Sequence, residues 1–198
     1  MDLVEEVVPL ADRELAVLRP RNSEALLDEH AFEQDEFMPY WAELWPSGVA
    51  LARAIAGRAL KGAPVLELGC GLGLPSLAAA RAGGRVLAVD WSPAAIDLLR
   101  RNAERNDVSL EAEVVSWTDP APLLARAPFG LVLAADVLYE QRNVPVLAAL
   151  LPRLGGEVLL ADPGRPAAPD FFERARASWS VKTTSSNGVG VHRLRPIA

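Results

Sequence analysis

Residues 64–91 read PVLELGCGLGLPSLAAARAGGRVLAVDW, and this stretch decides the fold. An apolar run of β character enters a turn in which Gly69, Gly71 and Gly73 alternate. Helical spacing follows from about Pro75 to Ala82, and a second apolar run ends on Asp90. A strand, a glycine turn, a helix and a second strand make a βαβ unit. The glycines let the backbone turn sharply and approach a ligand closely. The dinucleotide fingerprint places its last glycine three residues after the second, where this chain has Leu74, so the spacing argues against NAD. No lysine follows the glycines to balance a triphosphate. Glu67 just before the turn and Asp90 at the end of the second strand supply carboxylates suited to a cationic amino group and to paired ribose hydroxyls.

Outward from this unit the alternation continues. A helix opened by Ser92 and Pro93 is expected to run to about Asn106, followed by strand LEAEVV and a short helix near 120–126. Strand FGLVLAAD, a helix over about 144–151, strand GEVLLAD and a helix near 168–178 come next. Two strands, about 179–184 and 189–195, flank the turn signal SSNG. Apolar strands with little alternation imply a mostly parallel sheet covered on both faces, with an antiparallel hairpin at one edge. The expected fold is therefore α/β, a Rossmann-like three-layer sandwich with a seven-stranded sheet. Towards the N-terminus, VALARAIAGRAL has helical spacing, and VVPL with ELAVLRP suggests short strands turning at Asp12 and Arg13. PYWAELWPSG, with Phe32 and Phe37 ahead of it, concentrates aromatic residues in a chain only 6% aromatic. Residues 1–48 are read as an extension contributing to the cofactor and substrate site, and 49–198 as the main domain.

Composition narrows the function. The chain has 198 residues, 51% hydrophobic and 23% charged, which is globular usage. A net charge of -6 without a basic stripe argues against nucleic acid as a partner. Arg100, Arg101 and Arg105 lie on a helical pattern with Asp97 and Glu104 and read as a solvated face. Cys70 is the one cysteine, so no internal disulfide or thiolate-rich metal site is expected. It reads as a small packing residue in a reducing, cytoplasmic compartment. Neither a secretory signal nor a membrane span is expected. His30 and His192 read as non-catalytic, and no metal is expected.

ELGCGLG followed by VLAVDWS resembles the first motif and second-strand acid of class I S-adenosylmethionine-dependent methyltransferases, over nearly the whole chain. PYWAELWPSG, ADVLYE and ADPGR resemble the seven-β-strand protein lysine methyltransferases, in particular the electron-transfer-flavoprotein β-subunit lysine methyltransferase branch. The resemblance implies S-adenosyl-L-methionine as cofactor and S-adenosyl-L-homocysteine as product. It implies Gly69, Gly71 and Gly73 around the methionine part, Asp90 at the ribose, Trp91 and Trp117 at the adenine, and Trp45 lining the cofactor from the N-terminal side. Asp136 and Tyr139, the Asp-x-x-Tyr motif, would face the methyl group and acceptor. Trp91 and Trp117 read equally as core or rim aromatics, and Trp41 with Trp45 as a staple between a helix start and the sheet. Asp162 reads as a turn residue and Arg165 as a surface residue.

ADVLYE is not an Asn/Asp-Pro-Pro-Tyr/Phe motif, which lowers adenine and glutamine as acceptors. The expectation is N-methyl transfer to a protein lysine. A small amine or pyridine nitrogen is the alternative acceptor, and a non-catalytic binding subunit of the same fold a further one. The chain is expected as a monomer or weak dimer.

Overall fold

The computed structural model describes residues 1–11, 13–26 and 39–197. The expected turn residue Asp12, and Phe32, Phe37 and His30, lie outside the described residues. The seven-stranded sheet contains β3 (Pro64–Leu68), β4 (Arg85–Asp90), β5 (Glu111–Val114), β6 (Leu131–Ala135), β7 (Val158–Asp162), β8 (Trp179–Ser186) and β9 (Val189–Pro196). Its spatial order is β5-β4-β3-β6-β7-β9-β8. The first five of these strands pair in parallel, while β9 is antiparallel to both β7 and β8. The last strand of the chain therefore lies inside the sheet, and β8 forms the edge.

Among the described residues, six α-helices cover the sheet: α1 (Pro46–Ala56), α2 (Leu74–Arg81), α3 (Pro93–Arg105), α4 (Ala121–Leu124), α5 (Asn143–Leu154) and α6 (Ala168–Ala175). Alternate strand residues serve alternate faces. Val65, Val86, Ala88, Leu131 and Leu133 pack with α1, α2 and α3, among them Leu51, Leu77 and Leu99. Leu66, Leu68, Val89, Val132 and Ala134 pack with α4, α5 and α6, among them Leu123, Leu151 and Phe171. Both faces are thus apolar, which is why the strands show no polar alternation. Ser92 caps α3 by accepting the Ala95 N–H at 3.4 Å, with Pro93 in the first turn, as its sequence signals require.

From β3 the chain crosses to β4 on one side, whereas β6 leads to β7 on the other. The strand order thus reverses between β3 and β6, and a crevice opens beyond their carboxyl ends. That topology brings the loop after Leu68 and the loop after Ala135 to one place.

The N-terminal β1 (Leu3–Pro9) and β2 (Glu14–Pro20) form an antiparallel hairpin. It docks on α3 through side-chain amides acting like a neighbouring strand. Asn106 Oδ1 accepts the Ala16 N–H at 3.0 Å, and its Nδ2 donates to the Ala16 carbonyl at 2.7 Å. One turn earlier, Asn102 Oδ1 accepts the Leu18 N–H at 2.7 Å. Its Nδ2 donates to the Leu18 carbonyl at 3.2 Å and to the Leu72 carbonyl, in the glycine turn, at 3.1 Å. Both amides are buried, so each bond satisfies a backbone group that water cannot reach. Asn102→Leu keeps the branched shape but orphans these partners, and is expected to cost about 2–4 kcal/mol in urea unfolding. It should also speed amide exchange in β2; a loss under about 0.5 kcal/mol, the scale of a neutral surface change, would contradict this docking role.

Candidate active site

The glycine turn is shaped by close approach. Gly69, Gly71 and Gly73 have φ of 63°, 49° and 80°, in the left-handed region where a side chain is strained. A Cβ on Gly73 would meet Leu99 Cδ1 of α3 at 2.0 Å. On Gly71 it would lie 3.1 Å from the Trp41 carbonyl oxygen, and on Gly69 2.9 Å from the Trp117 ring. Glycine here lets the turn be clasped by α3, by the aromatic N-terminal segment and by the loop after β5.

Asp90 ties the turn to the next strand. Its Oδ2 accepts the Gly71 N–H at 2.9 Å and its Oδ1 the Ser92 N–H at 3.0 Å. Burial pushes the Asp90 carboxyl above the ordinary carboxylate range, while the backbone N–H donors of Ser92, Gly71 and Trp91 pull it back. Glu67 is fully buried on β3. Its Oε2 accepts from the Ser76 hydroxyl of α2, while Oε1 has no partner among the described residues. Burial outweighs the Ser76 bonds and raises its pKa to about 8. Burial likewise holds the Cys70 thiol well above its usual value, consistent with packing rather than nucleophilic work.

At the β6 end, Asp136 follows the last strand residue with φ 58°, a left-handed conformation that aspartate tolerates. The Tyr139 ring lies 5.2 Å from that of Tyr40, and Tyr40 lies 6.2 Å from Trp45. Trp45 precedes α1, and its indole N–H donates to the Tyr40 carbonyl at 2.7 Å. Burial, then Glu140, raises the Tyr139 pKa, so its hydroxyl keeps its proton at neutral pH.

All ten residues named from the sequence line one cleft: Trp45, Glu67, Gly69, Gly71, Gly73, Asp90, Trp91, Trp117, Asp136 and Tyr139. The cleft encloses about 990 Å³, including its solvent-open part. Trp91 stands at its rim, 44% exposed, while Trp117 packs on Gly69. Trp41 joins the lining through the segment pressed on Gly71. The surface reading of Arg165 is corrected, because its side chain turns into the cleft and pairs with Asp136. The cause is the turn reading of Asp162, which does hold: Asp162 Oδ1 accepts the Gly164 and Arg165 N–H groups at 2.7 and 2.8 Å. That ring of bonds aims the arginine back towards β6. Tyr40, unassigned in the sequence reading, also lines the cleft. His192 lies on β9, outside this cleft, accepting from or donating to Thr183.

A parallel sheet of order β5-β4-β3-β6-β7 with the β9-β8 antiparallel pair at its edge, and a glycine turn after β3, is the Rossmann-like methyltransferase fold. The solved 16S rRNA N2 G1207 methyltransferase of T. thermophilus, in complex with AdoMet and guanosine, superposes with TM-score 0.69. It covers 98% of this chain and 51% of that one at 21% identity. The lysine methyltransferase family model matches residues 28–173, and the chain belongs to that family. The electron transfer flavoprotein beta subunit lysine methyltransferase of Xenopus laevis is 34% identical over 137 residues, 64% of this chain and 53% of that protein. The histone-arginine methyltransferase METTL23 of Mus musculus is 31% identical over 152 residues, 73% of this chain and 55% of that protein. The chain spans about half the length of the curated relatives it matches.

Glu67 generates a pH test. Its carboxyl ionises near 4.5 ordinarily and near 8 in the fold, so the folded state holds the proton more tightly. The stability this gives is complete below about pH 4.5 and is lost as pH rises through about 8. The thermal midpoint is therefore expected to fall between pH 5 and 8 in the wild type and to flatten in Glu67→Gln. An unchanged slope in the variant would contradict the buried, proton-holding Glu67.

Proposed function

We propose that the chain is an S-adenosylmethionine-dependent methyltransferase acting on the side-chain amine of a protein lysine. One observation carries the reading: a glycine turn with two buried acids and an aromatic-walled pocket around Asp136 share a single cleft. The unpartnered buried Oε1 of Glu67 fits a cationic amino group, since a polar atom left bare in that position is costly without a ligand. Gly71 lines the cleft with Trp41 pressed where its side chain would lie, and Asp90 retains acceptor capacity for ribose hydroxyls. Trp91 and Trp117 flank that end with flat faces suited to an adenine.

S-adenosylmethionine, when bound, supplies a methyl group on a positively charged sulfur. What remains for the chain is to hold an acceptor nitrogen in line with it and to exclude water. A lysine of ordinary pKa 10.4 costs about 4.6 kcal/mol to neutralise at pH 7. Desolvation of the lysine on entering the cleft disfavours the ammonium and lowers that cost, while the neighbouring rings of Tyr40, Trp45 and Tyr139 hold its alkyl stem. Asp136 orients the amine, and Tyr139 offers its ring face and hydroxyl. Family membership and the named activity of the Xenopus laevis relative support lysine over other acceptors. The single buried cysteine fits a reducing compartment such as the cytoplasm. Among the described residues, no helix is long and apolar enough to cross a membrane.

Incubation with tritiated cofactor and cell extract is expected to label a protein on lysine, with Asp136→Ala lowering the label at least about tenfold, the scale of one lost charged hydrogen bond. Label confined to small molecules would overturn the lysine acceptor. Undiminished labelling by Asp136→Ala would overturn the role given to Asp136.

A further inference from the structure

Arg165 stands where neither the glycine turn nor the aromatic wall calls for a cation. Its Nε donates to Asp136 Oδ1 at 2.7 Å and its Nη2 to Oδ2 at 3.2 Å. On the other side, its guanidinium carbon sits 5.5 Å from the centre of the Trp45 ring. A carboxylate, an aromatic face and a positive charge between them make a complete cation site. The occupant belongs to the chain itself.

The two partners differ in their freedom. The Asp136 side chain is 6% exposed and fixed by its position after β6, whereas the Arg165 side chain is 32% exposed. Swinging the arginine outwards returns its charge to water, where it is readily solvated. Its backbone stays in the Asp162 turn meanwhile, ready to return. The carboxylate has no such exit, so its departure from the pair is not the available motion.

We propose that Arg165 is a specificity residue of the acceptor site, its guanidinium holding the place at Asp136 that the head group of a primary alkylammonium takes on entry. The inference rests on reading this cleft as an amine-acceptor site. With Arg165 in place the carboxylate is already neutralised, and a second cation beside it meets repulsion. A free small amine brings few contacts to offset displacement of the arginine. A lysine carried on a protein surface brings many, so the resident cation selects for acceptors presented by a larger partner.

The probe is n-butylammonium, a lysine side-chain mimic, titrated into the whole chain and followed by NMR. No cofactor and no methyl transfer are involved. A competitor that occupies Asp136 about nine-tenths of the time lowers the probe's apparent affinity about tenfold, so R165Q is expected to bind it about tenfold more tightly than wild type. R165K keeps the charge without the two-point grip and is expected between the two. In a D136N background, R165Q is expected to give no gain. Equal or weaker binding by R165Q, or a gain that persists with D136N, overturns the proposal. Should R165Q fail to fold, absence of any gain in R165K overturns it. A positive titration with failed protein labelling would sink the lysine reading alone, and the reverse would sink only the role of Arg165.

Discussion

At the Asp90 carboxylate the Gly71 N–H of the turn after β3 and the Ser92 N–H of the turn after β4 meet, and the cleft depends on that double tie. The first bond holds Gly71 in a left-handed conformation in the turn at the carboxyl end of β3. The second fixes the start of α3, whose Leu99 then fills the space that a side chain on Gly73 would need. Asn102 on the same helix reaches the Leu72 carbonyl and the β2 backbone, so the N-terminal hairpin is anchored to the same point. A carboxylate held by backbone donors in a buried position is thus both structural clamp and the acid facing the cleft. Its burial raises its proton affinity, and the donors that hold it limit that rise.

The other end of the cleft follows from topology rather than from a single bond. Because strand order reverses between β3 and β6, the chain leaves the sheet at Asp136 beside the glycine turn. The next strand out, β7, ends at Asp162, whose turn returns Arg165 to Asp136. Three strand ends therefore converge, one bearing the turn, one the carboxylate and one the cation that covers it. The aromatic segment before α1 closes the arrangement by pressing the Trp41 backbone on Gly71 and setting Trp45 under Arg165.

Much of this was legible in the sequence because it is local. Apolar runs marked the sheet strands, Ser92 and Pro93 marked the start of α3, and the glycine spacing with Glu67 and Asp90 marked the cleft. SSNG marked the final hairpin, but its insertion with β9 inside and β8 outside depends on pairing with β7, which no local pattern encodes. The amides of Asn102 and Asn106 look like ordinary polar residues of an exposed helix. Their role appears only when β2, some 84 and 90 residues away along the chain, lies against them. Arg165 was misread for a similar reason. A lone arginine after Pro-Gly has the composition of a surface turn, and only the Asp162 ring of bonds fixes its direction inwards. The clue was present in Asp-Pro-Gly-Arg, since an aspartate accepting from two following N–H groups determines where the next side chain goes.

The central claim is that the clamp formed by Asp90 makes a cofactor site, and calorimetric titration of S-adenosylmethionine tests it most directly. Wild type is expected to bind, and Asp90→Ala to lose at least about tenfold in affinity while still unfolding cooperatively, the scale expected for charged hydrogen bonds. Absence of binding by the wild-type chain, or equal binding by the variant, would contradict the account.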